Sequence, residues 1–234
     1  MKNFKIIKKF SVPSTQSETE KYVGRYENFA VIAKRQTKGR GRNGRTFVSP
    51  LGGFYMSARV SCKKAATKST LFVLYSGLAV MRALSNQGIE TKLKFPNDVK
   101  YNGKKLCGII CSSTLSEGYV TGATVGIGIN VKNKIPKELK DKAISLKGKR
   151  IDKNKLAEDI LGYLYDMIAL EEDKDALLKE YKNASETLGN FVTVDCVPKI
   201  SGKAIDIDEN GFLLVEEESG EIKKVSYGDV TRSQ

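Results

Sequence analysis

Gly39-Arg40-Gly41-Arg42-Asn43-Gly44-Arg45 alternates glycine with arginine so densely that neither a stable helix nor a stable strand can form there. Glycine opens positive φ angles and lets backbone N–H groups approach a ligand closely. Arginine supplies a planar, permanently charged fork that fits carboxylates and phosphates bidentately. A loop of this composition reads as one that closes around a small anion. The other reading is an RGG-like tract binding RNA by charge alone, although such tracts are longer and repeated, and this one is neither.

The residues on either side predict the frame that carries the loop. Phe29-Ala30-Val31-Ile32-Ala33 upstream and the alternating run Phe54–Val60 downstream, after Ser49-Pro50-Leu51-Gly52-Gly53, both read as strands. Ser14 is placed to cap a helix over Thr15–Tyr26, with Glu18 and Glu20 favouring its positive end. Leu71, Leu74, Tyr75, Leu78, Met81 and Leu84 recur at helical spacing, so Thr70 to Asn86 is predicted as an amphipathic helix whose stripe is core. Lys92–Phe95 is a short strand, and Asn102-Gly103 is a hairpin turn joining Val99–Tyr101 to Lys104–Leu115. Glu117-Gly118 then turns into Tyr119–Asn130. A Lys-rich connector over 131–150 leads to helices around Leu156–Ile168 and Ala176–Ser185. Beyond Gly189 come closely spaced strands, Phe191–Val197, Lys199–Ile207, Phe212–Glu216 and Ile222–Ser226, the pattern of a small barrel.

Composition narrows the chemistry. The chain's 234 residues suffice for one large domain plus a small one, here 1–186 and 187–234. No apolar run approaches the ~20 residues that span a bilayer. The N-terminal stretch Met1–Lys9 interrupts its apolar residues with lysines, unlike a signal peptide, so the cytoplasm is expected and no membrane is. There is no histidine, which excludes Ser-His-Asp and Cys-His catalysis, His-ligated zinc and imidazole bases. The four cysteines form no CxxC pair, and Cys107 and Cys111 lie in an apolar run as small core residues. Residues 187–234 hold 5 Lys/Arg against 9 Asp/Glu, while 1–186 hold 35 against 18. A basic body of that size is expected to meet an anionic partner: nucleotide, nucleic acid or acidic protein.

A second dense cluster, Lys94-Phe95-Pro96-Asn97-Asp98, is followed by Lys104-Lys105-Leu106-Cys107-Gly108-Ile109-Ile110. Pro96 stops the strand, leaving an amide and a carboxylate at its end to reach a nucleotide or a metal; the alternative is a polar Asx turn. Lys105 opens an apolar strand, either as a point charge fixed near the core or as a solvated strand-end lysine.

Taken in order, Gly39–Arg45, Lys94–Asp98, Lys105–Ile110 and Gly126-Ile127-Gly128-Ile129-Asn130 resemble the catalytic domain of biotin–protein ligases, with Ser14-Thr15-Gln16, Gln36 and Ser49-Pro50 also matching. The resemblance runs over essentially the whole chain, including its small C-terminal β domain. It implies an α/β (α+β) fold, a mixed central sheet flanked by helices like class II aminoacyl-tRNA synthetases, followed by an SH3-like barrel. It implies that Ser14, Thr15, Gln16 and Gln36 bind biotin, together with Gly39, Arg40, Gly41, Arg42, Lys105 and Gly108. ATP would fall to Arg40, Arg42, Arg45, Lys94, Asn97, Asp98 and Asn130, with Asp98 also serving Mg²⁺. Lys105 and Arg42 would be catalytic. The implied partner is the biotin carboxyl carrier domain of a biotin-dependent carboxylase, and a homodimer is left open. The catalytic pattern starts by residue 14, so the ligase-only type without a DNA-binding domain is expected. Departures are Gln16 for the usual Asn, Phe95 for Trp and Asn43 for Arg. A lipoate–protein ligase of the same fold and a basic RNA-binding module are the alternatives.

Overall fold

The computed structural model describes residues 4–170, 173–226 and 228–232. Its first unit is a seven-stranded sheet in the order β1-β2-β3-β7-β6-β5-β4. The strands are β1 (Lys5–Val12), β2 (Phe29–Gln36), β3 (Phe54–Ala65), β4 (Lys92–Lys94), β5 (Asp98–Tyr101), β6 (Lys104–Ser116) and β7 (Tyr119–Ile129). β1 and β2 are parallel and every other neighbouring pair is antiparallel, so the sheet is mixed. β2 and β3 run longer than their apolar runs suggest, because pairing carries them through the charged residues Lys34, Arg35 and Lys64.

Alternation along β3 sets the two faces of the sheet. Phe54, Met56, Ala58 and Val60 enter one hydrophobic core with Leu74, Leu78 and Ala79 of α2 (Leu71–Ser85) and Leu156, Ile160 and Leu164 of α3 (Lys153–Ile168). Leu177, Leu178 and Tyr181 of α4 (Lys174–Ala184) join them. Tyr55, Ser57 and Arg59 point to the opposite face, which α1 (Thr15–Thr19) partly covers. The Ser14 cap forms as expected, its Oγ accepting from Gln16 N at 3.2 Å. The helix is shorter than expected. It tightens into a 3₁₀ turn over Glu20–Tyr22 and stops at Val23, which is extended, before Gly24 at φ +83°, an angle no right-handed helix can continue through.

The second unit is a five-stranded antiparallel sheet in the order β11-β10-β9-β8-β12. It comprises β8 (Phe191–Asp195), β9 (Ile200–Ile207), β10 (Leu213–Glu216), β11 (Ile222–Val225) and β12 (Asp229–Arg232). The last of these has no counterpart in the pattern of apolar runs. Glu186 N donates to Leu93 O at 2.8 Å and Phe95 N to Thr187 Oγ1 at 2.9 Å, so the second unit is anchored where the Lys94–Asp98 cluster begins.

Candidate active site

Glycine floors the site. Gly108 pairs with Gly128 and Ile110 with Gly126 across β6 and β7, on the face that carries Ser57. Phe47 lies flat in the space this leaves: a Cβ on Gly128 would fall 2.5 Å from Phe47 Cε1, and one on Gly108 3.1 Å from Cε2. Over this floor opens a cavity of about 260 Å³, roofed by the Arg/Gly loop and walled by α1, Lys94–Asp98 and β12.

One end is neutral and hydrogen-bonded. Gln36 Oε1 accepts from Thr15 N at 2.7 Å and Thr15 Oγ1 at 3.1 Å, while Gln36 Nε2 donates to Ser49 Oγ at 2.8 Å. Thr15 Oγ1 lies 2.8 Å from Ser57 Oγ, and Gln16 Nε2 donates to Ser112 Oγ at 3.2 Å. The amide of Gln36 is therefore fixed in orientation by three partners, a set of pre-aimed donors and acceptors suited to an uncharged polar ring.

The other end is cationic. Arg40 bridges to Thr46, and Gly41 N donates to Arg45 O at 2.7 Å, closing the loop as a tight turn. Asn43 and Gly44 supply its left-handed corner at φ 53° and 72°, a conformation Asn tolerates better than most side chains. Arg42 donates from Nη1 to Asn97 Oδ1 at 3.0 Å and from Nη2 to Gly228 O at 3.2 Å, and Arg45 pairs with Asp229. Asn97 Nδ2 in turn donates to Ile109 O at 2.8 Å. Lys105 Nζ lies 2.5 Å from Asp98 Oδ1, so this strand-end lysine faces the cavity rather than open solvent. Lys94 lines the same wall, and burial holds its pKa below the ordinary lysine value.

The structure brings together Ser14, Thr15, Gln16, Gln36, Arg40, Gly41, Arg42, Arg45, Lys94, Asn97, Asp98, Lys105 and Gly108 around one cavity. Two residues expected at the site do not line it. Gly39 packs behind the loop, where a Cβ would meet Phe47 O at 2.3 Å. Asn130 is buried, its Oδ1 accepting from Asn133 Nδ2 at 2.9 Å. Residues that sequence reasoning did not single out also line the cavity: Phe47, Ser57, Asp229 and Thr231. Ser57 left a signal, a small polar residue on one parity of an otherwise buried strand; Asp229 left none. Cys107 and Cys111 are poor nucleophiles: burial pushes the Cys107 thiol far up and that of Cys111 to about 12.

The chain belongs to the Biotin/lipoate A/B protein ligase family, whose sequence profile matches residues 10–130; that of the Biotin protein ligase C terminal domain matches 189–232. Its relatives include proteins named as biotin ligases. It is 34% identical over 224 residues to the bifunctional ligase/repressor BirA of Bacillus subtilis, covering 87% of this chain and 66% of that protein, so the chain spans only part of that relative's length. It is 31% identical over 216 residues to the biotin–[acetyl-CoA-carboxylase] ligase of Mycobacterium tuberculosis, covering 87% of this chain and 79% of that one. The solved biotin protein ligase from Aquifex aeolicus in complex with biotin and ATP aligns with a TM-score of 0.84 at 33% identity, over 98% of this chain and 99% of that one. No helix among the described residues is long and apolar enough to cross a membrane.

Magnesium, which the resemblance implies, finds two carboxylates at the cavity, Asp98 and Asp229, each already ion-paired. Among the described residues no three or more His, Cys, Asp or Glu gather as a metal cage. That donor set fits a cation held chiefly by nucleotide phosphates and water with one carboxylate added.

Proposed function

We propose that this protein is an ATP-dependent biotin–protein ligase acting in the cytoplasm on the biotin carboxyl carrier domain of a carboxylase. The observation that carries the reading is one glycine-floored cavity with a fixed amide–hydroxyl network at one end and Arg40, Arg42, Arg45, Lys94 and Lys105 at the other. Relatives named as biotin ligases favour biotin over lipoate as the acid.

Thr15, Gln36 and Ser57 would hold the ureido ring of biotin, with Ser14 and Gln16 shaping its wall. That orientation directs the carboxylate toward Lys105. One carboxylate oxygen attacks the α-phosphorus of ATP; the P–O bond to the β-phosphate breaks and pyrophosphate leaves with its electron pair. Arg40, Arg42 and Lys105 would stabilise the charge that builds on the phosphoryl oxygens, and preorganised cations in a shielded site serve this better than water does. Lys94, Asn97 and Arg45 would position the nucleotide. Asp98 would hold Mg²⁺, which when bound neutralises phosphate charge. In the second step the carrier lysine, as a free amine, attacks the carbonyl carbon of the mixed anhydride. The amide bond forms, the C–O bond to phosphate breaks, and AMP departs while the amine loses its proton.

Residues 1–186 would form the catalytic domain, related in architecture to class II aminoacyl-tRNA synthetases, and 187–234 an SH3-like domain. The five-stranded antiparallel order and the C-terminal domain match support the second assignment. The test is exchange of labelled pyrophosphate into ATP. Exchange that depends on biotin is the expected result; exchange driven by lipoate alone, or by neither acid, overturns the reading.

A further inference from the structure

Arg59 is a buried cation outside the machinery described above. It is 8% exposed on β3, two residues beyond Ser57 and on the same face of the sheet. Its Nη1 donates to Thr114 Oγ1 at 2.8 Å and approaches Thr124 Oγ1 at 3.5 Å, and among the described residues no carboxylate is ion-paired with it. Gly122 makes the room, since a Cβ there would lie 2.5 Å from Arg59 Cζ. Desolvation pulls its pKa below the usual arginine value, yet a guanidinium stays charged. A buried charge answered only by hydroxyls is costly to keep, so its retention points to a counter-charge that arrives from outside.

The place it faces supports this. Arg59 lines a second groove, of about 830 Å³, which shares Gln16, Arg40, Arg42 and Ile110 with the active-site cavity. One wall of the groove is β6 beyond Ile109, past the last residue of β6 paired with β5. Its other lining groups are mostly hydroxyls and apolar side chains, and Glu20 is its one carboxylate among the described residues. The groove is thus cationic, open, and continuous with the point where the second substrate must enter.

We propose that Arg59 is a carrier-recognition residue: it receives a carboxylate side chain of the carrier domain as that domain lies in this groove. The inference rests on the ligase reading and adds to it the residue that reads the partner's charge. Arg59 acts on docking and touches neither biotin nor ATP.

The experiment measures the two half-reactions separately in Arg59→Met, which fills similar volume without charge. Biotin-dependent pyrophosphate exchange should stay at the unaltered level, while KM for the carrier in the transfer step rises about 30-fold or more, as for a truncated interfacial charge pair. A second variant, Val23→Glu, guards against misfolding: Val23 is exposed at the groove's rim, and a carboxylate there should raise the same KM by repulsion. Scanning the carrier's Asp and Glu to amides should find one position whose loss is large with unaltered ligase and absent with Arg59→Met. Unaltered carrier KM in both ligase variants overturns the assignment. So does equal loss of both half-reactions in Arg59→Met, which marks a purely structural arginine. No exchange in the unaltered protein sinks the ligase reading itself, and this inference with it.

Discussion

Lys105 and Asp98 form an ion pair, Nζ to Oδ1 at 2.5 Å, between the neighbouring strands β6 and β5 at the cavity wall. An incoming carboxylate or phosphate must therefore share Lys105 with Asp98. Removing the lysine does more than delete a ligand: it leaves a carboxylate uncompensated where the substrate's own negative charge has to sit. Lys104 precedes it on the strand and points away, its Nζ donating to Lys140 O at 2.8 Å. Lys105→Ala should lower biotin-dependent pyrophosphate exchange by on the order of 10²–10³, the scale of losing one preorganised charge-stabilising group. Lys104→Ala should stay near the unaltered rate. Adding Asp98→Asn to Lys105→Ala should recover part of the biotin affinity, measured by titration calorimetry; no recovery would separate the two residues functionally.

Lys94 gives a pH dependence with a definite sign. Burial is the main cause of its lowered pKa, with Lys100 and Lys105 adding to it and Asp98 and Glu186 opposing it. Its folded value lies below the unfolded one, so in the window between them the unfolded chain holds the extra proton, and stability rises with pH there. At neutral pH the charged lysine therefore costs stability. Lys94→Met should raise the thermal midpoint at pH 7, and the gain should shrink as pH climbs toward 10.5. The same variant should lose ATP affinity, which a nucleotide titration reads directly. A gain that is constant across pH would mean that packing, not charge, is what changed.

Gly128 is where the cavity is most sensitive to one atom. Its Cβ position lies 2.5 Å from Phe47 Cε1 and 2.8 Å from Cζ, so any side chain there drives the ring toward the ligand space. Gly128→Val should weaken biotin binding by about 1–3 kcal/mol, the usual cost of overpacking. Gly118, in open space at the β6–β7 turn, has no such neighbour, but its φ of +79° favours glycine. Gly118→Asn, which tolerates that conformation, should therefore leave biotin binding unchanged in the same titration and serve as the control.

Local pattern made much of this legible. Alternation in β3, the Asn102-Gly103 turn and the spacing of α2 each report a local preference, and all three elements form where expected. The cationic residues of the site were legible because Arg/Gly alternation and a lysine before an apolar strand are unusual compositions. What sequence could not supply was long-range closure. Asn130 follows a glycine-rich strand, but its turn toward Asn133 depends on the path of the connector, where Leu146 N donates to Asn130 O at 3.1 Å. Phe47 reads as an ordinary loop aromatic until Gly108 and Gly128, far away in the chain, come to lie beneath it. β12 carries a single buried apolar residue, Val230, too little for periodicity to register; it forms because β8 offers it a partner edge.

That last strand leads to the most specific expectation about the loop. Gly228 O accepts from Arg42 and Asp229 pairs with Arg45, so the C-terminal unit holds two of the loop's three arginines. Arg45 is well exposed, and an ion pair of that kind is worth about 0–1 kcal/mol, enough to bias a loop but not to lock it. The adenylate would compete for the same guanidinium with a stronger, bidentate phosphate contact. Asp229→Asn should therefore speed protease cleavage between Thr37 and Arg45 in the free protein by at most about fivefold, matching that energy. With biotin and ATP present, cleavage should fall to the level of the unaltered protein, because Arg45 then has the phosphate as its partner. Cleavage that stays fast in the ligand-bound variant would mean that the C-terminal unit, rather than the nucleotide, orders the loop.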